Sequence, residues 1–518
     1  MAKEYSRRLL SLYLPRWPTD RLRKRAADAS PSPHATPLPD DPLVLSGREG
    51  SKRLVMAADN RARAQGLHPG MALAKAQALV PGLDVRPFTP DKDAADLADL
   101  ALWALKRYSP IVACDAPDGL ILDITGCAHL YAGESHLVHD LLDHLKADGI
   151  RARAAIADSW GAAHGIARFG ARFSRDPALI VPPGESRRRV LDLSIAALRL
   201  TADIVADLDM LGFETVGDLL RQPRAPLVHR FGRDLGLRLD QVLGEASEPI
   251  DPVVLPDVVS VKRVFAEPIG APETIARYTG KLTVSLCDAL ENRGLGARRL
   301  DLLFYRTDNR VEAVRVGLAA PVRDVKRLTR LLCDQIETVD PGFGIDRMRL
   351  TATVAEPLVL RQADTEAPNV PELSGLIDIL GNRLGARNLY RLAPVESDVP
   401  ERALRRVPPL TAVSETWPSW PRPQRLFAQV EEILAAGELP DNPPKFFVWK
   451  KVRHLVVRAD GPERIFGEWW RRDLEIPAVR DYFRVEDEAG QRFWIFRSGD
   501  GEHRDTGNYR WYLHGLFA

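Results

Sequence analysis

Cysteine, one-sided charge and long apolar runs are all scarce in this chain, and each scarcity excludes a class of protein. The 518 residues include four cysteines, Cys114, Cys127, Cys287 and Cys333. None falls in a Cys-x-x-Cys pair, which argues against a zinc site and a disulfide framework and reads as reduced thiols in a cytoplasmic protein. No stretch approaches the ~20 apolar residues that span a bilayer. The apolar run after Met1–Arg8 is too short for a signal peptide, so no membrane association is expected. Basic and acidic residues number 72 and 71, so no global field favours nucleic acid, and any DNA contact must come from local patches. What is present is ordinary globular composition, 45% hydrophobic and 28% charged, in a chain long enough for roughly three or four domains.

Leu9–Leu14 reads as a buried strand ended by Pro15 and Pro18. Residues 28–42 are rich in Pro, Ala, Ser and Asp and read as a surface insertion. Two strands, 43–45 and 53–56, then bracket Gly47 and Gly50 as a hairpin. Helical spacing follows over 60–65 and 72–79, and residues 94–108 carry one apolar stripe, Leu97, Leu100, Ala101, Ala104 and Leu105. The strands 111–114 and 120–124 flank the turn Pro117-Asp118-Gly119. A helix over 135–147, a strand over 151–157 and a helix over 160–169 complete the region. Without its insertion the order is β-α-β-β-α-β, the ferredoxin-like split motif.

Residues 194–244 form short helices punctuated by glycines. Within them Leu208–Leu219 resembles a helix-hairpin-helix, whose glycine turn, here Gly212 and Gly217, presents backbone N–H groups to a DNA phosphate. Another α/β region spans 257–358 with strands near 258–265, 298–305, 315–318 and 347–356 and helices at 271–292 and 322–337. A polar linker follows at 362–371. Seven of the ten tryptophans lie between Trp417 and Trp511, which marks a separate, β-rich domain.

Four segments in this order resemble the Y-family DNA polymerases. Arg8–Tyr13 is similar to the family's opening palm strand, where an Asp normally stands at the place of Tyr13. Ala57–Leu67 with Gly70-Met71 is similar to the fingers segment that grips the incoming triphosphate. Arg63 keeps the arginine place and Asn60 replaces the tyrosine. Cys114–Gly126 resembles the hairpin carrying an Asp-Glu pair, of which Asp118 survives and the Glu becomes Gly119. Ala155–Trp160 is similar to the strand–helix junction that bears a triphosphate-binding lysine, here Trp160. Leu392–Arg402, Glu468–Arg471, Arg480–Glu486 and Trp511–Phe517 resemble the extension of one polymerase-like branch of the family, found in bacterial damage-induced (SOS) mutagenesis cassettes.

The resemblance implies an α+β multidomain protein: palm at 1–27 and 94–178, fingers at 28–93, helical thumb at 179–250 and little finger at 255–360. A linker and helix at 361–410 and a Trp-rich interaction domain at 411–518 follow. It also implies that the chemistry is lost. Nucleotidyl transfer uses two magnesium ions held by converging carboxylates, and the three family positions supply only Asp118. A phenol at Tyr13 stays protonated at neutral pH. The chain is therefore expected to be a pseudo-polymerase with no cofactor or metal. An active translesion polymerase with a metal site rearranged around Asp20, Asp115 or Asp123 is one alternative, and a protein-interaction adaptor without DNA affinity is another.

The implied partners are primer–template DNA, the sliding clamp, a RecA-related accessory protein and an error-prone replicative-type DNA polymerase. Lys262, Arg263, Arg298 and Arg299 are the candidate phosphate contacts. Gln362 stands where the family carries its clamp-binding peptide, without the apolar pair such a peptide needs. Trp469, Trp470, Trp511 and Phe517 are candidate partner-binding residues, because exposed aromatics serve as interface anchors.

Overall fold

The computed structural model describes residues 7–28, 41–170, 176–256, 258–358, 373–413, 422–435, 437, 440–468 and 478–517. The chain divides into two units, Met1–Leu389 and Tyr390–Ala518.

The first unit opens with β1 (Leu9–Tyr13) and α1 (Trp17–Asp28). The insertion then builds β2 (Leu43–Glu49), β3 (Lys52–Ala58), α2 (Asn60–Ala64), α3 (Leu73–Leu79) and β4 (Asp84–Pro87). These form a small sheet in the order β3-β2-β4 over a core of Val44, Val55, Ala62, Leu73 and Ala76. The chain returns through α4 (Pro90–Arg107), which carries acids in its first turn and Lys106 and Arg107 in its last, matching the helix dipole. It continues through β5 (Ile111–Asp115), β6 (Gly119–Asp123), α5 (Glu134–Ala147), β7 (Arg153–Ala157), α6 (Trp160–Phe169) and β8 (Ala178–Ile180). The sheet order is β5-β6-β1-β7-β8, with β1 antiparallel to both neighbours and β8 parallel to β7 at the edge. That is the expected ferredoxin-like order with one strand added.

Strand alternation sorts the two sheet faces. Leu10, Leu12, Leu120, Leu122, Ala154 and Ile156 point onto α4 and α5. The opposite face carries Leu9, Ser11 and Tyr13, and it is shared. Ala155 and Ala157 meet α6 and the helical thumb, α7 (Ser186–Val190), α8 (Ala202–Met210), α9 (Val216–Leu220), α10 (Arg224–Phe231) and α11 (Arg233–Leu243). Leu9, Ile111, Ala113 and Ile121 pack with Leu303 of the next domain.

That domain comprises β9 (Val259–Ile269), α12 (Pro272–Glu291), β10 (Leu295–Arg306), β11 (Val311–Val322), α13 (Val325–Cys333) and β12 (Ile345–Pro357). Its antiparallel sheet runs β11-β10-β12-β9, with both helices on one face. α14 (Ser374–Leu384) is fastened to it, as Asp378 accepts from the Ala319 amide at 2.7 Å and Asn382 from the Gly317 amide at 2.9 Å. The expected linker-and-helix segment 361–410 is thus divided: its helix belongs to the first unit and the hairpin β13 (Arg391–Pro394) with β14 (Leu404–Val407) to the second.

The second unit is built on a closed barrel of β15 (Arg425–Ala435), β16 (Phe446–Trp449), β17 (Val452–Phe466), β18 (Val479–Asp487), β19 (Arg492–Ser498) and β20 (Trp511–Leu516). β20 pairs with both β19 and β15, which closes the ring. Ile433, Phe447, Phe483, Val485, Phe493, Ile495, Trp511 and Leu513 fill the interior. Among the described residues no helix is long and apolar enough to cross a membrane.

Candidate functional site

Tyr13 ends β1 with Gly119 opposite it on β6 and Arg153 opposite it on β7. Directly opposed residues share a face, so these three positions and α6 above them define one end of the palm. α6 starts cleanly because the Ser159 hydroxyl accepts from the Ala162 amide. Its last turn carries Arg168 back over the sheet. There the Arg168 guanidinium lies 2.9 Å from Asp118 and 3.3 Å from Asp115, and 4.9 Å from the centre of the Tyr13 ring. His164, one turn earlier, meets Asp115 at 2.7 Å.

The electrostatics follow from this packing. Burial alone would raise the Asp115 carboxyl, but the hydrogen bond and charge of His164, then Arg168, hold it below the usual carboxylate range. Burial, then the Asp118 carboxylate, push the Tyr13 phenol above its ordinary value, against the pull of Arg168, Arg63 and Arg153. Tyr13 is therefore neutral and a poor ligand.

These residues do not fit a two-metal centre. A Cβ on Gly119 would stand 2.7 Å from Arg168 Nη2 and 2.8 Å from the Leu12 carbonyl, so a carboxylate at this position has no room beside the guanidinium. Asp123 pairs with Arg7 at 2.9 Å, and Asp20 accepts from the Arg151 amide at 3.0 Å. Among the described residues no group of three or more His, Cys, Asp or Glu side chains is arranged to hold a metal. A cation already stands between the acids where the family resemblance placed metal ions.

The nucleotide-binding positions are scattered. Asn60 and Arg63 lie exposed on α2, with Arg63 Nε donating to the Ala58 carbonyl at 3.1 Å. Trp160 is at the far end of α6, half-buried with Leu9, Ile111 and Leu303 and with Arg199 5.3 Å over its ring. It is a packing residue there, away from Tyr13.

Several expected DNA contacts are already engaged. In the Gly212–Gly217 turn, Gly212 donates to the Asp209 carbonyl, Val216 to Leu193 and Gly217 to Leu191. The Glu214 and Thr215 amides donate to the Asp218 carboxylate, and Asp218 donates to the Thr215 hydroxyl in a capping box. The turn therefore has no free amide to offer a phosphate. Gly217 is required for close approach instead, since a Cβ would stand 3.0 Å from the Leu191 carbonyl. Arg298 pairs with Glu356 at 3.2 Å and donates to the Leu318 carbonyl at 2.7 Å, and Arg299 donates to the Lys106 carbonyl of α4. Arg299 thus fastens the little finger to the palm. Lys262 and Arg263, on the edge strand β9, remain exposed.

In the barrel, Trp511 is 5% exposed and belongs to the core, so it is not an interface anchor. Phe517 is half-buried against the Tyr482–Trp494 cluster. Trp469, Trp470 and Gln362 lie outside the described residues.

The exposed surface that sequence reasoning missed is the β16–β17 hairpin. Phe446 opposes Leu455 and Val448 opposes Arg453, while Leu434 of β15 opposes Val448. These side chains share the outward face with Val457, and Leu434, Leu455 and Val457 are 75%, 43% and 54% exposed. At the tip Lys450 and Lys451 both hold positive φ, 48° and 68°, in a two-residue loop where Asn and Gly are the usual occupants. Among the described residues, Lys450, Lys451, Arg453 and Arg458 have no carboxylate partner. Elsewhere on the barrel Arg422, Arg464, Arg480, Arg484, Arg492 and Arg510 all pair with acids. The signal was present in the alternation of 446–457, where apolar residues fall on both faces of each of two strands.

Two family domains match this chain: the impB/mucB/samB family over residues 29–167 and the impB/mucB/samB family C-terminal domain over residues 256–363. The chain is 45% identical over 465 residues to Protein ImuB of Caulobacter vibrioides strain NA1000, a match covering 88% of this chain and 100% of that protein. It is 22% identical over 305 residues to DNA polymerase IV of Alkalilimnicola ehrlichii, covering 58% of this chain and 84% of the relative. Among solved structures, the crystal structure of DinB from Sulfolobus solfataricus aligns at 15% identity and a TM-score of 0.38, over 67% of this chain and 98% of the other.

Proposed function

The chain belongs to the ImuB family and has the Y-family polymerase fold, and on that premise we propose that it serves damage-induced translesion synthesis as a non-catalytic scaffold. One observation carries the reading: the Arg168 guanidinium stands among Asp115, Asp118 and Tyr13, and Gly119 has no room for a side chain. Phosphoryl transfer needs oxygen ligands converging on metal ions, whereas this arrangement is neutralised from within. Primer extension by the purified protein with Mg²⁺ or Mn²⁺ tests it. Background incorporation is expected, and extension abolished by Asp118→Ala would refute the proposal.

In this reading the body holds primer–template DNA through phosphate contacts, with Lys262 and Arg263 as the remaining candidates on the little finger. The barrel recruits the error-prone replicative-type polymerase and the ImuA-like, RecA-related accessory protein to the sliding clamp. The exposed apolar and basic face of the β16–β17 hairpin supports a docking role. A second reading, an adaptor without DNA affinity, draws support from the engagement of Arg298, Arg299 and the thumb amides inside the fold. Salt dependence separates the two. A scaffold on DNA loses affinity steeply as salt rises, and Lys262→Glu with Arg263→Glu flattens the slope.

A further inference from the structure

The little finger is fastened to the palm at more than one place. Part of the contact is at the end of α4. The last carbonyls of a helix lack partners within it and carry the negative end of its dipole. Arg315 of β11 donates to the Leu105 carbonyl at 2.6 Å, and Arg299 of β10 donates to that of Lys106. Arg315 is itself aimed by Asp301, which accepts from it at 2.7 and 2.8 Å. Beside this polar seam lies the apolar contact of Leu303 with Leu9, Ile111 and Ile121.

A further fastening is made by α14 and the short turn Ala386–Asn388, which lie beyond the residues 256–363 matched by the family C-terminal domain. One end of this segment is tied to the little finger. β11 is an edge strand, and the segment takes up its free backbone groups. Asn382 exchanges two hydrogen bonds with Gly317, at 2.9 and 2.8 Å, and the buried Asp378 carboxylate holds both the Ala319 amide and Arg327 of α13. The other end is tied to the palm. The Arg387 guanidinium pairs with Asp140 of α5 and stands 5.1 Å over the Tyr131 ring. Burial alone would raise the Asp140 carboxyl, but the hydrogen bonds of Arg387, then Tyr108, hold it below the usual carboxylate range.

We propose that residues 374–388 form a clasp that holds the little finger on the palm, so that the body keeps a single closed arrangement in the free chain. A domain joined to its neighbours by one linker can swing about that linker as a hinge. Here the little finger is entered from the thumb and left through α14, and the exit is bound to the palm by Arg387. Held at both ends, the domain loses that hinge, and the body meets its partners already in shape, without the ordering cost of gathering domains on binding. The clasp goes beyond the scaffold reading and does not depend on DNA affinity, on the barrel or on synthesis.

The distance between spin labels on the palm and the little finger, measured by pulsed electron resonance on the full chain, decides the matter. Labels carried on p-acetylphenylalanine in place of the exposed Asp143 of α5 and Ser285 of α12 avoid the native cysteines. The otherwise unaltered chain is expected to give one narrow distance. Arg387→Ala is expected to add a second, longer one. That variant leaves Asp140 with Tyr108 at 2.9 Å and Arg107 at 3.5 Å, so the palm keeps its fold, which circular dichroism checks. Asp378→Ala with Asn382→Ala frees the other end of the clasp and should give the same second distance. A broad distribution in the unaltered chain, or a single narrow distance retained in both variants, would overturn the proposal.

Discussion

The palm end around Tyr13 and the β16–β17 hairpin of the barrel both concentrate cations, and they use them in opposite ways. In the palm, Arg168 is drawn inward between two carboxylates, at the place where the resembled family holds its metal ions. On the barrel, Lys450, Lys451, Arg453 and Arg458 ring an exposed apolar face; among the described residues none of them pairs with a carboxylate, and Lys450 and Arg453 lie over the rings of Trp449 and Phe446. Charge satisfied within the fold contributes to structure, whereas charge left facing solvent beside exposed Leu and Val is available to a partner. The two regions therefore differ in what they leave open: the two palm acids are closed over by their own cation, and the barrel face is not.

The sharpest way to break this comparison is to restore the acids. Tyr13→Asp with Gly119→Glu is expected to remain inactive in primer extension, because Arg168 occupies the space and charge of the metals. Activity in that double variant would show that the guanidinium yields easily and that the palm is only dormant.

A second test contrasts the inside and the outside of the barrel. Trp511→Ala opens a cavity among Phe483, Leu513 and their neighbours and should cost about 3–5 kcal/mol, read as a lower chemical-denaturation midpoint. Leu455→Glu with Val457→Glu should leave that midpoint nearly unchanged while reducing capture of the polymerase and accessory protein by an amount equivalent to ~2 kcal/mol. Equal effects on folding and capture would dissolve the distinction between core and docking face.

Gly119→Ala sharpens the palm side alone. Its Cβ meets the Leu12 carbonyl, which cannot swing away, so a loss of about 1–3 kcal/mol is expected. Combining it with Arg168→Ala should not recover stability, since that carbonyl remains and the two acids lose their cation.

The most gradual effect is a pH dependence of the barrel. His514 is fully buried, its Nδ1 2.8 Å from the Tyr482 hydroxyl, and burial pushes it down to about 4 while Glu401 opposes the shift. The unfolded imidazole takes up a proton near its ordinary value and the folded one does not. The contribution is therefore complete above pH ~6.5 and lost on acidification toward pH 4, at roughly 1 kcal/mol per unit. A flat stability profile across that window, or one rescued in the wrong direction by His514→Gln, would remove this account.

Much of the fold could be read locally. The ferredoxin-like order followed from alternation, the Pro117–Gly119 turn and one amphipathic stripe, all of which act over a few residues. The identities at Tyr13, Asp118 and Gly119 likewise indicated what the palm lacks. Arg168 was not readable, because its role depends on α6 crossing the sheet, a contact fifty residues distant from Asp118. Arg298 and Arg299 appeared to be surface cations because nothing in their neighbourhood announces that Arg299 docks on α4. The burial of Trp511 was not readable for a related reason: in a closed barrel the strand β20 has an inner face, and closure is invisible until β20 is seen between β15 and β19.

That closure also bears on how the protein is made. The first strand of the barrel, Arg425–Ala435, finds its partner in Trp511–Leu516, some eighty residues later in synthesis. Contacts so distant along the chain form late. Until the last strand leaves the ribosome, β15 and β19 each present an unpaired edge, which invites aggregation or degradation. A message cut short before Trp511 would yield a polymerase-shaped body joined to an open sheet.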